Sequence, residues 1–194
     1  MDSHEPLPET ADPPLQTVIP SVATAHLRDV SVTVAYSEYA DELYGFLHYA
    51  VRDPEAARDL LQDVFLRLLG EVRKGAEPEN TRAWLYRVAA NLAVSRGRRL
   101  SVAARHVVTL GRQRRESEPS PDVAVLRRES DRELDAVLAR LPADSRTALL
   151  LRGRGFAPAE IAASLGRSEG ATRTLLSRSR VKLRLLLEES GSER

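Results

Sequence analysis

The amino-acid sequence predicts an all-α protein made of two small helical domains joined by a flexible linker. Apolar residues recur at helical steps of three and four, no segment alternates with the period of two of a half-buried strand, and two stretches rich in Pro, Gly and Ser divide the chain. At 194 residues, with 42% hydrophobic and 29% charged, the chain is globular in composition and has room for one domain or two small ones. It holds no Cys, which removes disulfides, thiolate metal sites and cysteine nucleophiles together. No run approaches the roughly 18 apolar residues of a membrane span, and Asp2, Glu5, Glu9 and Asp12 stand where a signal peptide carries Lys or Arg. Neither membrane insertion nor secretion is expected, and no cofactor or metal is implied.

Residues 1–32 hold Pro6, Pro8, Pro13, Pro14 and Pro20 without periodicity and are expected to form a flexible acidic extension. The first domain is expected over 33–100. Its opening helix presents Tyr39, Leu43, Phe46, Leu47 and Ala50 on one face. Asp53-Pro54 starts a second helix, with Asp as N-cap and Pro at the first helical position, and Ala57, Leu60, Leu61, Val64, Leu68 and Val72 form its stripe until Gly75 and Pro78 end it. A third helix starts near Asn80 or Thr81 and points Trp84, Leu85, Val88, Ala89 and Leu92 inward. Eight of the nine aromatics lie between Tyr36 and Tyr86, so this block is expected to have its own aromatic core.

A linker is expected over 101–129, through Gly111 and Ser117-Glu118-Pro119-Ser120-Pro121-Asp122, and a second domain over 130–190. There Leu134, Val137, Leu138 and Leu141 form a stripe stopped by Pro142, and Thr147 to Leu151 start another helix. Pro158 opens a short helix carrying Ile161, Ala162 and Leu165, Gly166 makes a turn, and Ser168 caps a final helix. In that helix Thr172, Leu176, Ser179, Leu183 and Leu186 share one face, and Arg173, Ser177, Arg180 and Arg184 another.

The net charge of +1 hides a strong asymmetry. Residues 1–30 and 31–80 are acidic, at −4 and −5, while residues 81–116 hold nine Arg against Glu116, and 146–194 carry ten bases against five acids. Two basic surfaces of this kind suit a polyanion. A short helix, a Gly turn and a basic amphipathic helix form the plan of a helix-turn-helix, in which the outward face enters a major groove. Arg173, Thr174, Ser177 and Arg178 are the candidates for base edges, and Arg180, Lys182 and Arg184 for phosphates. His4, His26, His48 and His106 stand isolated, with no metal-ligand spacing, Gly-rich phosphate loop or nucleophile elbow, so no enzyme is expected.

The stretch Asp53-Pro-Glu-Ala-Ala-Arg-Asp-Leu-Leu-Gln-Asp-Val-Phe-Leu-Arg67, followed by Arg82-Ala-Trp-Leu-Tyr-Arg-Val-Ala-Ala-Asn-Leu92, resembles the second conserved region of bacterial RNA polymerase sigma factors, most closely the extracytoplasmic-function group of the sigma-70 family. Leu141-Pro-Ala-Asp-Ser-Arg-Thr-Ala-Leu-Leu-Leu-Arg152, Glu160-Ile-Ala-Ala-Ser-Leu-Gly166 and Ser168-Glu-Gly-Ala-Thr-Arg173 resemble their fourth region. The resemblance covers about residues 36–99 and 130–188. It implies a region 2-like helical bundle and a region 4-like helix-turn-helix in a cytoplasmic protein that directs promoter recognition, melting and transcription initiation.

The partners it implies are core RNA polymerase, through the clamp helices of the largest subunit and the flap, promoter DNA both duplex and single-stranded, and an anti-sigma factor. By position, Asp59, Gln62, Asp63 and Arg67 would meet the polymerase. The loop from Arg73 to Asn80 would capture a flipped base, with Asn80, Arg82, Arg87, Asn91, Arg96, Arg98 and Arg99 along the melted strand. Ser168, Arg173, Thr174, Ser177, Arg178, Arg180 and Lys182 would meet the upstream element. The chain departs from the family pattern at Thr81, Ala157, Thr172 and Leu175, and in its long extension. The main rival is a two-domain helix-turn-helix regulator that acts without entering the polymerase; its usual input domain would alternate strands and helices, which are missing here. A purely protein-binding helical adaptor leaves the basic block at 81–116 unexplained.

Overall fold

A computed structural model describes the backbone of residues 22–107 and 128–192 and the side chains of 30–103 and 134–190. The expected extension up to residue 21 and the expected linker from 108 to 127 lie outside the described residues. Seven helices and no strand are present among the described residues: α1 (Val22–Val51), α2 (Pro54–Arg73), α3 (Thr81–Val107), α4 (Arg128–Ala139), α5 (Ala143–Gly153), α6 (Pro158–Leu165) and α7 (Glu169–Ser192). Helix ends cross the expected boundaries. α1 starts ten residues before 32 and α3 runs seven past 100, because Val22–Val32 and Ser101–Val107 contain no Gly or Pro to stop a helix; α4 starts at Arg128, inside the expected linker, and α7 ends at Ser192, two past 190.

The caps follow local chemistry. Arg52 adopts the left-handed conformation at φ 61° and ends α1, and Asp53 then accepts the Ala56 amide at 3.1 Å with Pro54 at the first helical position. Asn80 Oδ1 accepts the Ala83 amide at 2.9 Å and caps α3. Ala157 has no side chain with which to cap α6; instead Glu160 reaches back to accept the Ala157 amide at 2.7 Å, which completes half of a capping box. Gly166 closes α6 in the left-handed region at φ 62°, and Ser168 caps α7 by accepting the Ala171 amide at 3.3 Å. α5 begins at Ala143 rather than Thr147: Pro142 ends the preceding turn, so the polar Asp144, Ser145 and Arg146 form the first turn of the helix.

Leu43, Phe46, Leu47 and Ala50 of α1 pack against Ala57, Leu60, Val64, Leu68 and Val72 of α2 and against Leu85 and Ala89 of α3. Burying side chains of this size stabilises by about 1.5–3 kcal/mol each. The inward stripe expected for α3 is only part of its buried surface. Trp84, Val88 and Leu92 are half-buried, whereas Tyr86, Ala90, Ala93 and Val94 are buried. α3 is covered on two sides, by α1 and α2 on one and by α5 and α6 on the other. Phe156, the aromatic outside the first block, lies 5.1 Å from the Tyr86 ring, and Ala148, Leu151, Ile161, Leu165 and Leu176 continue the same core. The first block therefore does not keep a core to itself. A smaller cluster joins Val137, Leu138 and Leu141 to Leu186, and Leu134, expected on that stripe, is exposed.

Candidate nucleic-acid interface

On α2 the residues opposite the buried stripe come together as expected: Asp59, Gln62, Asp63 and Arg67 are all exposed on one face. Leu66 stands among them, 56% exposed, an apolar side chain that nothing in the fold requires on that face. The sequence carries its signal, since Leu66 falls out of register with Leu60, Val64 and Leu68.

The α3 residues divide into two sets. Arg87, Asn91 and Arg99 are exposed and face outward, Arg99 donating from Nε to the Ser95 carbonyl at 3.3 Å. Arg82, Arg96 and Arg98 are tied to acids. Arg96 pairs with Asp53 at 3.0 Å and thereby links α3 to the start of α2. Arg82 pairs with Glu42 at 3.1 Å and lies over the Tyr86 and Phe156 rings, 5.2 and 5.4 Å from their centroids. Arg98 donates to Asp144 at 3.1 Å, and Arg167 pairs with the same carboxylate. Burial pushes the Asp144 carboxyl upward, but Arg167 and Arg98 outweigh it and hold the group below its ordinary value. Glu42 behaves alike: burial raises it, the Tyr86 hydroxyl and the Arg82 guanidinium lower it more, and Arg154 adds to their effect. Burial and the neighbouring Glu42 push the Tyr86 hydroxyl well above the ordinary range, so it is neutral.

The turn between α6 and α7 has the handedness that the sequence requires of Gly166, and α7 buries Thr172, Leu176, Ser179 and Leu186 while Leu183 is half-buried. Its other face is exposed. There Arg173 pairs with Glu169 at 3.1 Å, Thr174 donates to the Gly170 carbonyl at 3.0 Å, and Ser177, Arg178, Arg180, Lys182 and Arg184 face outward. Ser168 is exposed beside them, its hydroxyl engaged in the cap. Arg146 serves the fold and was not among the expected site residues. It is buried, and its guanidinium donates to the carbonyls of Ala50, Leu138 and Leu141 at 2.9, 3.1 and 3.3 Å. No group of acids and histidines that could hold a metal ion is present among the described residues, and no described helix is long and apolar enough to cross a membrane.

Comparison with known proteins places both halves. Residues 35–102 match the sigma-70 region 2 family and residues 131–183 the sigma-70 region 4 family. The chain is 34% identical over 171 residues to the ECF RNA polymerase sigma factor SigL of Mycobacterium tuberculosis, covering 82% of this chain and 90% of that one. It is 28% identical over 158 residues to the ECF RNA polymerase sigma factor SigX of Bacillus subtilis, covering 79% and 81%. Its fold is similar to the sigma factor RpoE solved in complex with the anti-sigma factor NepR from Bartonella quintana, with a TM-score of 0.61, 22% identity, and coverage of 80% and 96%. The chain belongs to the extracytoplasmic-function group of the sigma-70 family, and it is an RNA polymerase sigma factor that directs transcription initiation.

Proposed function

We propose that this sigma factor divides its work among three helices: α2 holds core RNA polymerase, α3 tracks the melted promoter strand and α7 reads the upstream duplex. The observation that carries this reading is the sorting of exposed charge. The α2 face offers the acids Asp59 and Asp63 with Gln62, Arg67 and the apolar Leu66, a surface suited to a basic partner helix with one apolar anchor. The outward faces of α3 and α7 offer Arg87, Arg178, Arg180, Lys182 and Arg184, which have no acidic partner among the described residues.

Each face suits a different state of DNA. On α7, Arg173, Thr174, Ser177 and Arg178 meet base edges, where an Arg binds guanine O6 and N7 in a fork, and Arg180, Lys182 and Arg184 neutralise phosphates. On α3, Arg87, Asn91 and Arg99 follow a single strand. The loop from Arg73 to Asn80 takes a base swung out of the stack, which costs a few kcal/mol that the cationic track offsets. In this reading the chain works in the cytoplasm as a specificity subunit, with the phosphodiester chemistry left to the polymerase. RpoE was solved with an anti-sigma factor, and we carry that partner class over to this chain.

Run-off transcription with purified core polymerase on a promoter library, with and without the protein, tests the reading. Transcripts that depend on the protein and start at a shared sequence class are expected. Duplex binding with no gain in transcription would instead favour a regulator that stays outside the polymerase.

A further inference from the structure

The pattern Arg-Arg-x-Ser occurs three times between residues 98 and 130, as Arg98-Arg99-Leu100-Ser101, Arg114-Arg115-Glu116-Ser117 and Arg127-Arg128-Glu129-Ser130. Two guanidiniums set three and two residues before a hydroxyl suit a protein kinase with an acidic substrate groove, because such enzymes choose substrates by charge complementarity. The three copies differ in their neighbours. Ser117 stands between Glu116 and Glu118, and Ser130 between Glu129 and Asp131, so an acidic groove repels both. Ser101 stands between Leu100 and Val102, in a stretch, 80–115, that contains no Asp or Glu.

The fold leaves this hydroxyl accessible. Residues 98–103 of α3 are all exposed, about one and a half turns in which no side chain is buried. Leu100 and Val102 are 49% and 48% exposed, apolar side chains that flank Ser101 and serve no core. Local bonds loosen the helix at the same place. The Ser101 hydroxyl donates to the Gly97 carbonyl at 2.9 Å and Arg99 Nε to the Ser95 carbonyl at 3.3 Å, both in competition with the amides of the helix, and Gly97 is itself a poor helix former. Opening this segment into the extended form in which a kinase threads its substrate therefore uncovers no core. Ser101 also lines a shallow cleft together with Arg98 and Arg167, two guanidiniums suited to a phosphate.

We propose that Ser101 is a phosphoacceptor for a protein kinase that selects basic substrates, and that its phosphate weakens the hold of α3 on single-stranded DNA. The Ser101 oxygen attacks the γ-phosphorus of a nucleoside triphosphate. Its bond to phosphorus forms as the bond to the departing diphosphate breaks, and the hydroxyl proton passes to the catalytic carboxylate of the kinase. The phosphoserine carries about −1.5 to −2 charges at neutral pH. It stands one helical turn after Arg98 and close to Arg99, at the end of the cationic track, where it pairs with guanidiniums and repels the phosphates of a strand. The effect on DNA rests on the assignment of α3 as the strand track; the acceptor itself does not.

The full chain, incubated with magnesium ATP and the catalytic subunit of cyclic-AMP-dependent protein kinase as a probe of that charge preference, tests the acceptor by mass-spectrometric mapping. Most of the phosphate is expected on Ser101. Ser101→Ala should lose it, and Leu100→Glu, which reproduces the acidic neighbour of Ser117 and Ser130, should slow its incorporation at least about fivefold. No phosphate on Ser101, or a yield undiminished in Ser101→Ala, overturns the acceptor. The phosphorylated chain is expected to bind fluorescein-labelled oligo-dT at least about threefold more weakly than the untreated chain at low salt, with the gap narrowing at molar salt. Equal affinities overturn the control of DNA binding. Arg87→Ala separates that failure from failure of the strand track: it lowers oligo-dT affinity if α3 is the track and leaves it unchanged if that assignment is wrong.

Discussion

Arg146 is the residue whose replacement should cost the fold most for the fewest atoms removed. Its guanidinium closes the C-terminal ends of α1 and α4 at once, by donating to the carbonyls of Ala50, Leu138 and Leu141, and it is buried while doing so. Arg146→Met keeps the aliphatic stem and deletes every donor. A hydrogen bond from a charged group contributes about 1.5–3 kcal/mol. Three from one guanidinium do not add, and the substitution recovers the cost of desolvating the charge. A net loss of about 3 kcal/mol follows, which in a chain of this length lowers Tm by about 6–12 °C. Thermal unfolding followed by far-ultraviolet circular dichroism measures it. The loss should be the same at low and at molar salt, because a buried group is poorly screened. A shift below about 2 °C, or one that vanishes in salt, would refute the reasoning, because it would mean that water replaces the guanidinium at those carbonyls without cost.

The other expectations follow from exposed residues. Asp63→Arg and Asp59→Arg should each weaken association with core polymerase at least about tenfold without changing helicity, since charge reversal in a complementary interface costs up to several kcal/mol while a free helix face hardly responds; co-elution with core measures it. Arg173→Ala and Arg178→Ala should reduce binding to upstream duplex by about 1–3 kcal/mol each, whereas Arg87→Ala and Asn91→Ala should mainly slow promoter opening, as permanganate footprinting reports. Asp144 is held below its ordinary 3.8, so its contribution is fully present above that value and is lost as the pH falls through the lowered one. The stability difference between the parent chain and Asp144→Asn should therefore be constant at neutral pH and shrink on acidification only once the pH has fallen below 3.8, which melting curves at several pH values will show.

Where the chain announces its structure by local chemistry, the sequence could be read directly. Asp53-Pro54, Asn80, Gly166 and Ser168 each carry a cap or turn in their own side chain or lack of one, and the structure shows all four in those roles. The stripes of α1 and α2 were legible for the same reason, since each packs on one side. α3 was legible only by half. An apolar periodicity marks a face but not how many partners cover it, so Tyr86, Ala90 and Val94 could be recognised as buried only once α5 and α6 were in place. Arg146 was hidden by its charge, because a lone Arg near a helix start reads as surface until the carbonyls of two other helices surround it. The outward residues of the α7 face were placed by their register, and those of α2 and α3 by the family resemblance. The acids that hold Arg82, Arg96 and Arg98 were not foreseeable, for Glu42, Asp53 and Asp144 lie between 40 and 46 residues away along the chain.

The shared core also sets an order of events at the ribosome. When residues up to Val94 have emerged, Tyr86, Ala90 and Val94 form an apolar strip that belongs against helices not yet made. Phe156 and Ile161 are more than 60 residues further on. At translation rates of about 5–20 residues per second, that strip stays uncovered for about 3–12 s in each round of synthesis. Among the described helices α3 is thus the one that a nascent-chain chaperone would have reason to hold, and slow codons placed after residue 107 would lengthen the exposure rather than help the first domain to fold.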